Sequence, residues 1–131
     1  MPAEMTARAC KVLVVAAACA SALTPTASGA GAPARAAGGC GIPNGGENLG
    51  PTYLTSLTVS DTTCAVGLKV VRAYHVCQVK HGGLTARCTA AVDGFRCKEK
   101  RGPSIPTEFY SSVSCTDHAQ RVSYQYSQFT T

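Results

Sequence analysis

Cys64-Ala-Val-Gly-Leu-Lys-Val-Val-Arg-Ala-Tyr-His-Val-Cys-Gln-Val-Lys80 carries a helical period. Cys64, Leu68, Val71 and Tyr74 recur at spacings of four and three, flanked by Val70 and Cys77. Lys69, Arg72 and Lys80 take the opposite side, so the stretch predicts an amphipathic helix with one buried stripe. Ser60-Asp61-Thr62-Thr63 supplies N-cap side chains, Thr63 or Asp61 foremost, and glycine in His81-Gly82-Gly83 suits the C-terminal stop. Gly67 falls on the apolar side and costs about 1 kcal/mol against alanine, unless close packing on a sheet compensates.

Outward from the helix the period changes to two. Before it, Tyr53 to Ser60 reads as a strand with Leu57 and Val59 inward. After the loop Leu84–Thr89, Phe95 and Cys97 alternate with Arg96, Lys98 and Lys100, and Gly102-Pro103-Ser104 reads as a turn. Phe109, Val113 and Cys115 then share one face of a strand. Thr116–Gln120 is a second turn, and Val122, Tyr124 and Tyr126 alternate along a last strand. The expected class is α+β, with one amphipathic helix packed on a three- to four-stranded antiparallel sheet and stapled by disulfides.

The first 36 residues read as export machinery. Arg8 and Lys11 precede a short apolar run, Val12 to Leu23, which breaks at Thr24-Pro25-Thr26 before the roughly 20 residues a spanning helix needs. Small-x-small cleavage sites stand at Ala30-Gly31-Ala32 and Ala34-Arg35-Ala36. Ala16-Ala17-Ala18-Cys19 loosely resembles a bacterial lipobox, so lipid anchoring through Cys19 is the alternative to secretion. Three regions follow: a signal peptide and low-complexity leader over 1–36, an N-terminal loop over 37–52, and a stapled domain over 53–131. Without the leader's Arg8, Lys11, Arg35 and Glu4, the 12 basic and 7 acidic residues leave a net charge of about +3. That bias is too mild for a dedicated nucleic-acid binder.

Six cysteines remain beyond the leader: Cys40, Cys64, Cys77, Cys88, Cys97 and Cys115. This density in a small exported chain marks a disulfide framework. Six cysteines allow 15 pairings. Cys77 with Cys88 is the easiest local pair, Cys64 with Cys97 would cross the helix–sheet interface, and Cys40 with Cys115 would staple the N-terminal loop.

Val59-Ser-Asp-Thr-Thr-Cys-Ala65, Gly94-Phe-Arg-Cys97, Val113-Ser-Cys115 and Arg121-Val-Ser-Tyr124 together resemble small secreted or lipid-anchored, cysteine-containing actinobacterial proteins of unknown function. The likeness spans roughly Leu57 to Tyr126 and implies export and a helix-on-sheet fold, with no catalytic residue. The plan is also similar in outline to β-lactamase-inhibitor-type domains, though no binding residue matches.

Candidate chemistry is sparse. His75, His81 and His118 show no metal-ligand spacing, and no C-x2-C or H-x3-H pattern occurs; no metal or cofactor is expected. His81 reads as a helix C-terminal residue favoured by the dipole. Ser111, Ser112 and Ser114 lie on a strand without an exposing turn. Glu99, crowded by Lys98, Lys100 and Arg101, reads as half of a surface ion pair. A ribonuclease-like hydrolase would cast Glu108, His118, Arg96 and Arg121 as base, acid and phosphate clamps.

The most definite surface feature is the stripe Arg96, Lys98 and Lys100, continued by Arg101, with Tyr110 across the hairpin. Alternation spaces the first three by about 6.6 Å on one face. Such a row suits an anionic envelope polymer, a lipid headgroup or nucleic acid; the competing role is edge-strand protection. The sequence therefore points to a monomeric, secreted binding or inhibitory module, facing an anionic envelope polymer or a secreted protein. A structural envelope role and the hydrolase are the alternatives.

Overall fold

The computed structural model describes residues 37–130. The signal-peptide, leader and Cys19 readings lie outside the described residues. The fold is α+β: one helix on a five-stranded antiparallel sheet with three disulfides. Its elements are β1 (Gly38–Gly39), a 3-10 turn (Pro43–Gly46), β2 (Tyr53–Ser60), α1 (Cys64–Lys80), β3 (Arg96–Ile105), β4 (Glu108–Asp117) and β5 (Gln120–Phe129). Spatial order is β1-β2-β5-β4-β3. The strand beyond the expected three to four is β1, whose two glycines carry no alternating apolar signal. Residues 37–52 thus hold a two-residue strand and a 3-10 turn.

Thr63 caps α1, its hydroxyl accepting the Val66 amide at 3.3 Å. At the other end the His81 amide closes on the Cys77 and Gln78 carbonyls. His81 Nδ1 also lies 2.9 Å from the Cys77 carbonyl, an acceptor, so Nδ1 carries the proton. The buried stripe is rotated from the expected one. Gly67, Val70, Val71, Tyr74, His75, Cys77 and Gln78 are buried, while Cys64 is exposed and Leu68 half-buried. The stripe meets Leu57 and Val59 on β2, Val122, Tyr124 and Tyr126 on β5, and Phe109, Val113 and Cys115 on β4. Gly67 makes the approach possible, since a Cβ there would sit 2.8 Å from Val59 Cγ1.

Both hairpins are tighter than expected. Ile105 pairs with Glu108 and Asp117 with Gln120, so the turns are Pro106-Thr107 and His118-Ala119. Gly102-Pro103 makes an irregularity within β3 instead of the turn. Proline is tolerated there because β3 is an edge strand.

The disulfides are Cys40–Cys64, Cys77–Cys88 and Cys97–Cys115. The local pair is as expected; the other two correct the expected Cys64–Cys97 and Cys40–Cys115. Cys97 and Cys115 stand directly opposite each other in the β3–β4 ladder, which leaves neither facing another cysteine. Pairing of Gly39 with Thr58, and of the Cys40 amide with the Leu57 carbonyl, carries Cys40 along β2 to the start of α1. Three disulfides fit an extracellular or otherwise oxidising environment. No helix among the described residues is long and apolar enough to cross a membrane.

Candidate functional site

The helix covers one face of the sheet, and the other face is built by the strand register in parallel rows. Arg96, Thr116, Arg121 and Ser60 form the first; Lys98, Ser114, Ser123 and Thr58 the second. Lys100, Ser112, Gln125 and Ser56 form the third, and Tyr110, Ser127 and Tyr53 the fourth. Strand spacing and rise make this face about 14 by 20 Å. None of these row residues is acidic. A shallow depression of about 530 Å³ lies between Lys98, Lys100, Ser112, Ser114, Ser123 and Gln125.

Cations occupy one side and one end of the face. At the other end Tyr53 and Tyr110 are each half exposed, and Phe129 meets the Tyr53 ring edge-on at 5.7 Å. Hydroxyl and amide side chains fill the space between. Thr58 Oγ1 and Thr55 Oγ1 donate to the Ser123 and Gln125 carbonyls, at 3.3 and 3.1 Å. Arg96, Lys98, Lys100 and Tyr110 share this face, with Arg96 and Tyr110 at its opposite ends. Arg101 does not join them.

Arg101 turns to the helix side. Its guanidinium donates to the Thr85 and Ala86 carbonyls at 2.6 and 3.1 Å, to Glu99 Oε1 at 3.1 Å, and stacks 4.1 Å above the Phe109 ring. Glu99 is not in a surface ion pair: its side chain is 1% exposed. Ser111, Tyr126 and Arg101 donate to Oε1, and Tyr74 donates to Oε2. Burial pushes this carboxyl up, but the bonds from Ser111, Tyr126, Tyr74 and Arg101 prevail and hold it below the usual carboxylate range. Burial next to that charge in turn raises the Tyr74 and Tyr126 phenols, which remain protonated donors. The cluster is a satisfied buried anchor that fixes the back of β3 and leaves its cations on the opposite face.

The sequence signal for this anchor was one of parity. Glu99 shares the inward alternation of Cys97, as Ser111 shares that of Phe109 and Val113. Their polar character masked it.

His75 is buried too, 3% exposed, with its ring 4.7 Å from that of Tyr126. Burial lowers its pKa to about 4, against weaker opposing pulls from Gln78 and Glu99, so it is neutral at pH 7. Glu108 and His118 stand at opposite ends of the ten-residue β4, about 30 Å apart by strand rise. They share no reaction centre, although Arg96 and Arg121 do lie in one row. Among the described residues no three His, Cys, Asp or Glu side chains cluster as metal ligands.

No family model, curated protein or solved structure matches this chain.

Proposed function

We propose that the protein is an exported binding module whose ligand is an anionic envelope polysaccharide, held on the uncovered sheet face. The observation that carries this reading is Arg121. Lys98 and Lys100 lie on the edge strand, where protection against sheet-to-sheet pairing would account for them. Arg121 lies on β5, which is flanked by β2 and β4 and has no edge to guard, yet it points to the same side. Cations on both edge and interior strands suit a ligand carrying repeated negative charge. The tyrosines and the hydroxyl rows suit sugar rings, which offer flat apolar faces and many hydrogen-bonding groups.

The test is binding of the full chain, disulfides formed, to an acidic, uronate-containing polysaccharide and to a neutral glucan of similar length. The expected result is salt-sensitive binding of the anionic polymer, weakened about tenfold in Lys98→Gln/Lys100→Gln. Equal binding of the neutral glucan, or none of either, would refute the reading. Tighter binding of single-stranded DNA than of the polymer would transfer the face to nucleic acid.

A further inference from the structure

A second surface on the opposite side of the molecule has a different chemistry. Val76, Val79 and Leu84 are 49, 55 and 44% exposed and lie side by side along the outer face of α1 and its exit loop. With Leu49 and Gly50 they line a groove of about 410 Å³. Gly50, at φ 112°, permits the close approach of the N-terminal loop: a Cβ there would collide with the His75 side chain. Arg72 and Lys80 stand on the groove rim, eight residues apart on the helix, or about 12 Å.

Both rim charges lack a carboxylate partner among the described residues, and no acidic side chain lines the groove. Arg72 Nε donates to the Asn48 carbonyl at 3.2 Å, fixing the guanidinium at the rim and leaving its terminal amino groups for a ligand. His75, which also lines the groove, is neutral, so the charge complement required is negative and set by Arg72 and Lys80.

We infer that this groove binds an anionic amphiphile, its aliphatic chain lying along Leu49, Val76, Val79 and Leu84 and its carboxylate or phosphate head on Arg72. Size decides between this occupant and a protein. The volume falls within the range of small-molecule sites, about 300–1,000 Å³, whereas a stable protein interface requires about 800 Å² on each side. Three exposed aliphatic side chains fall well short of that. The lining is aliphatic with a few polar groups at its rim, the usual make-up of a site that orients a ligand by one end.

The test uses the full chain with disulfides formed, methyl-labelled for NMR and titrated with decanoate below its micelle concentration. Decanol and vesicles of phosphatidylglycerol in phosphatidylcholine are the comparison arms. Expected are saturable shifts at the Val76, Val79 and Leu84 methyls, affinity about tenfold lower in Arg72→Gln, and loss of binding in Val79→Asp with an unchanged melting temperature. Decanol binding as tightly as decanoate, shifts confined to other methyls, or unchanged affinity in Arg72→Gln would each overturn the proposal. So would binding to vesicles without binding of monomeric decanoate, which would make the surface a membrane contact. Because the groove and the basic sheet face share no residue, failure here leaves the polysaccharide reading standing, and the reverse also holds.

Discussion

Tyr126 Oη donates to Glu99 Oε1 at 2.8 Å across the intervening strand β4, whose Ser111 donates to the same oxygen at 2.6 Å. One buried carboxylate thus ties three neighbouring strands together, and Tyr74 brings in the helix at 2.8 Å. Glu99→Gln removes the charge and turns an amide NH2 toward groups that are themselves donors, while Arg101 loses its partner. The expected loss is about 3 kcal/mol of unfolding free energy, measured by urea denaturation at neutral pH. The native carboxyl titrates below its ordinary value of 4.5, so its stabilisation is complete above that pH and is lost only as pH falls through the lower native value. Glu99→Gln should lack this acid-limb loss. A variant within about 0.5 kcal/mol of wild type would remove Glu99 from its anchoring role.

His75 gives a separate pH window. Its pKa is lowered from 6.5 to about 4 by burial, so below pH 6.5 the unfolded chain takes up a proton that the native ring refuses. Stability should therefore fall as pH drops from 6.5 toward 4, with a slope approaching about 1.4 kcal/mol per pH unit. His75→Phe retains a ring against Tyr126 and cannot titrate. Denaturation curves collected across this range should be nearly flat for that variant above pH 4.5. An equal slope in both proteins would assign the dependence to other groups.

The parts of the fold governed by local periodicity were legible in the sequence. Thr63 as cap, the α1 limits, the inward Leu57 and Val59, and the alternation of Val122, Tyr124 and Tyr126 follow from spacing and hydroxyl chemistry. What depended on register was not legible. Cys97 faces Cys115 only because β3 and β4 pair through a turn at Pro106-Thr107, whereas local composition marks Gly102-Pro103-Ser104 as the turn. The inward Glu99 was hidden because a charged residue between two lysines reads as surface. Its burial rests on Ser111, Tyr126 and Tyr74, each from a different element, and on Arg101 from its own strand. The basic row was legible as a stripe on one strand, but the rows of serine and threonine beside it emerge only when four strands align.

Gly67 is a packing glycine. Alanine has the better helix propensity by about 1 kcal/mol, but its methyl would stand 2.8 Å from Val59 Cγ1 and 3.5 Å from the Leu57 methyls. Overpacking of this kind costs about 1–3 kcal/mol, so the net effect of Gly67→Ala should be a loss of about 1 kcal/mol. Thermal or urea denaturation reads it directly. A gain in stability would mean that α1 rides higher over β2 than the structure places it.

Cys40–Cys64 and Cys97–Cys115 should differ in reach. The first joins the N-terminal loop to the helix start, while the second cross-links two strands that already share a ladder. Replacing Cys40 and Cys64 by alanine should speed amide hydrogen exchange over residues 38–51 and leave the centre of β5 protected, because β1 has only two residues to hold it. Replacing Cys97 and Cys115 should lower global stability by about 3 kcal/mol, the scale expected of a loop of this length. Exchange that rises uniformly in both variants would show that the N-terminal loop unfolds with the sheet as one unit.

Arg101 and Arg121 separate stability from binding. Arg101 is engaged with Glu99, two carbonyls and the Phe109 ring on the helix side; Arg121 is exposed on the opposite face and has no carboxylate partner among the described residues. Arg101→Gln should lower unfolding free energy by about 2 kcal/mol, since it leaves a buried charge short of one of its partners. Arg121→Gln should change stability by less than about 0.5 kcal/mol. If the sheet face holds an anionic polymer, Arg121→Gln should also flatten the salt dependence of binding by roughly one counterion. Arg101→Gln, measured at a temperature where it remains folded, should leave that slope unchanged. Urea titration and polymer binding over a series of salt concentrations give both quantities for each variant. The assignment fails if the two substitutions affect the salt slope alike, because only Arg121 is then expected to touch the ligand.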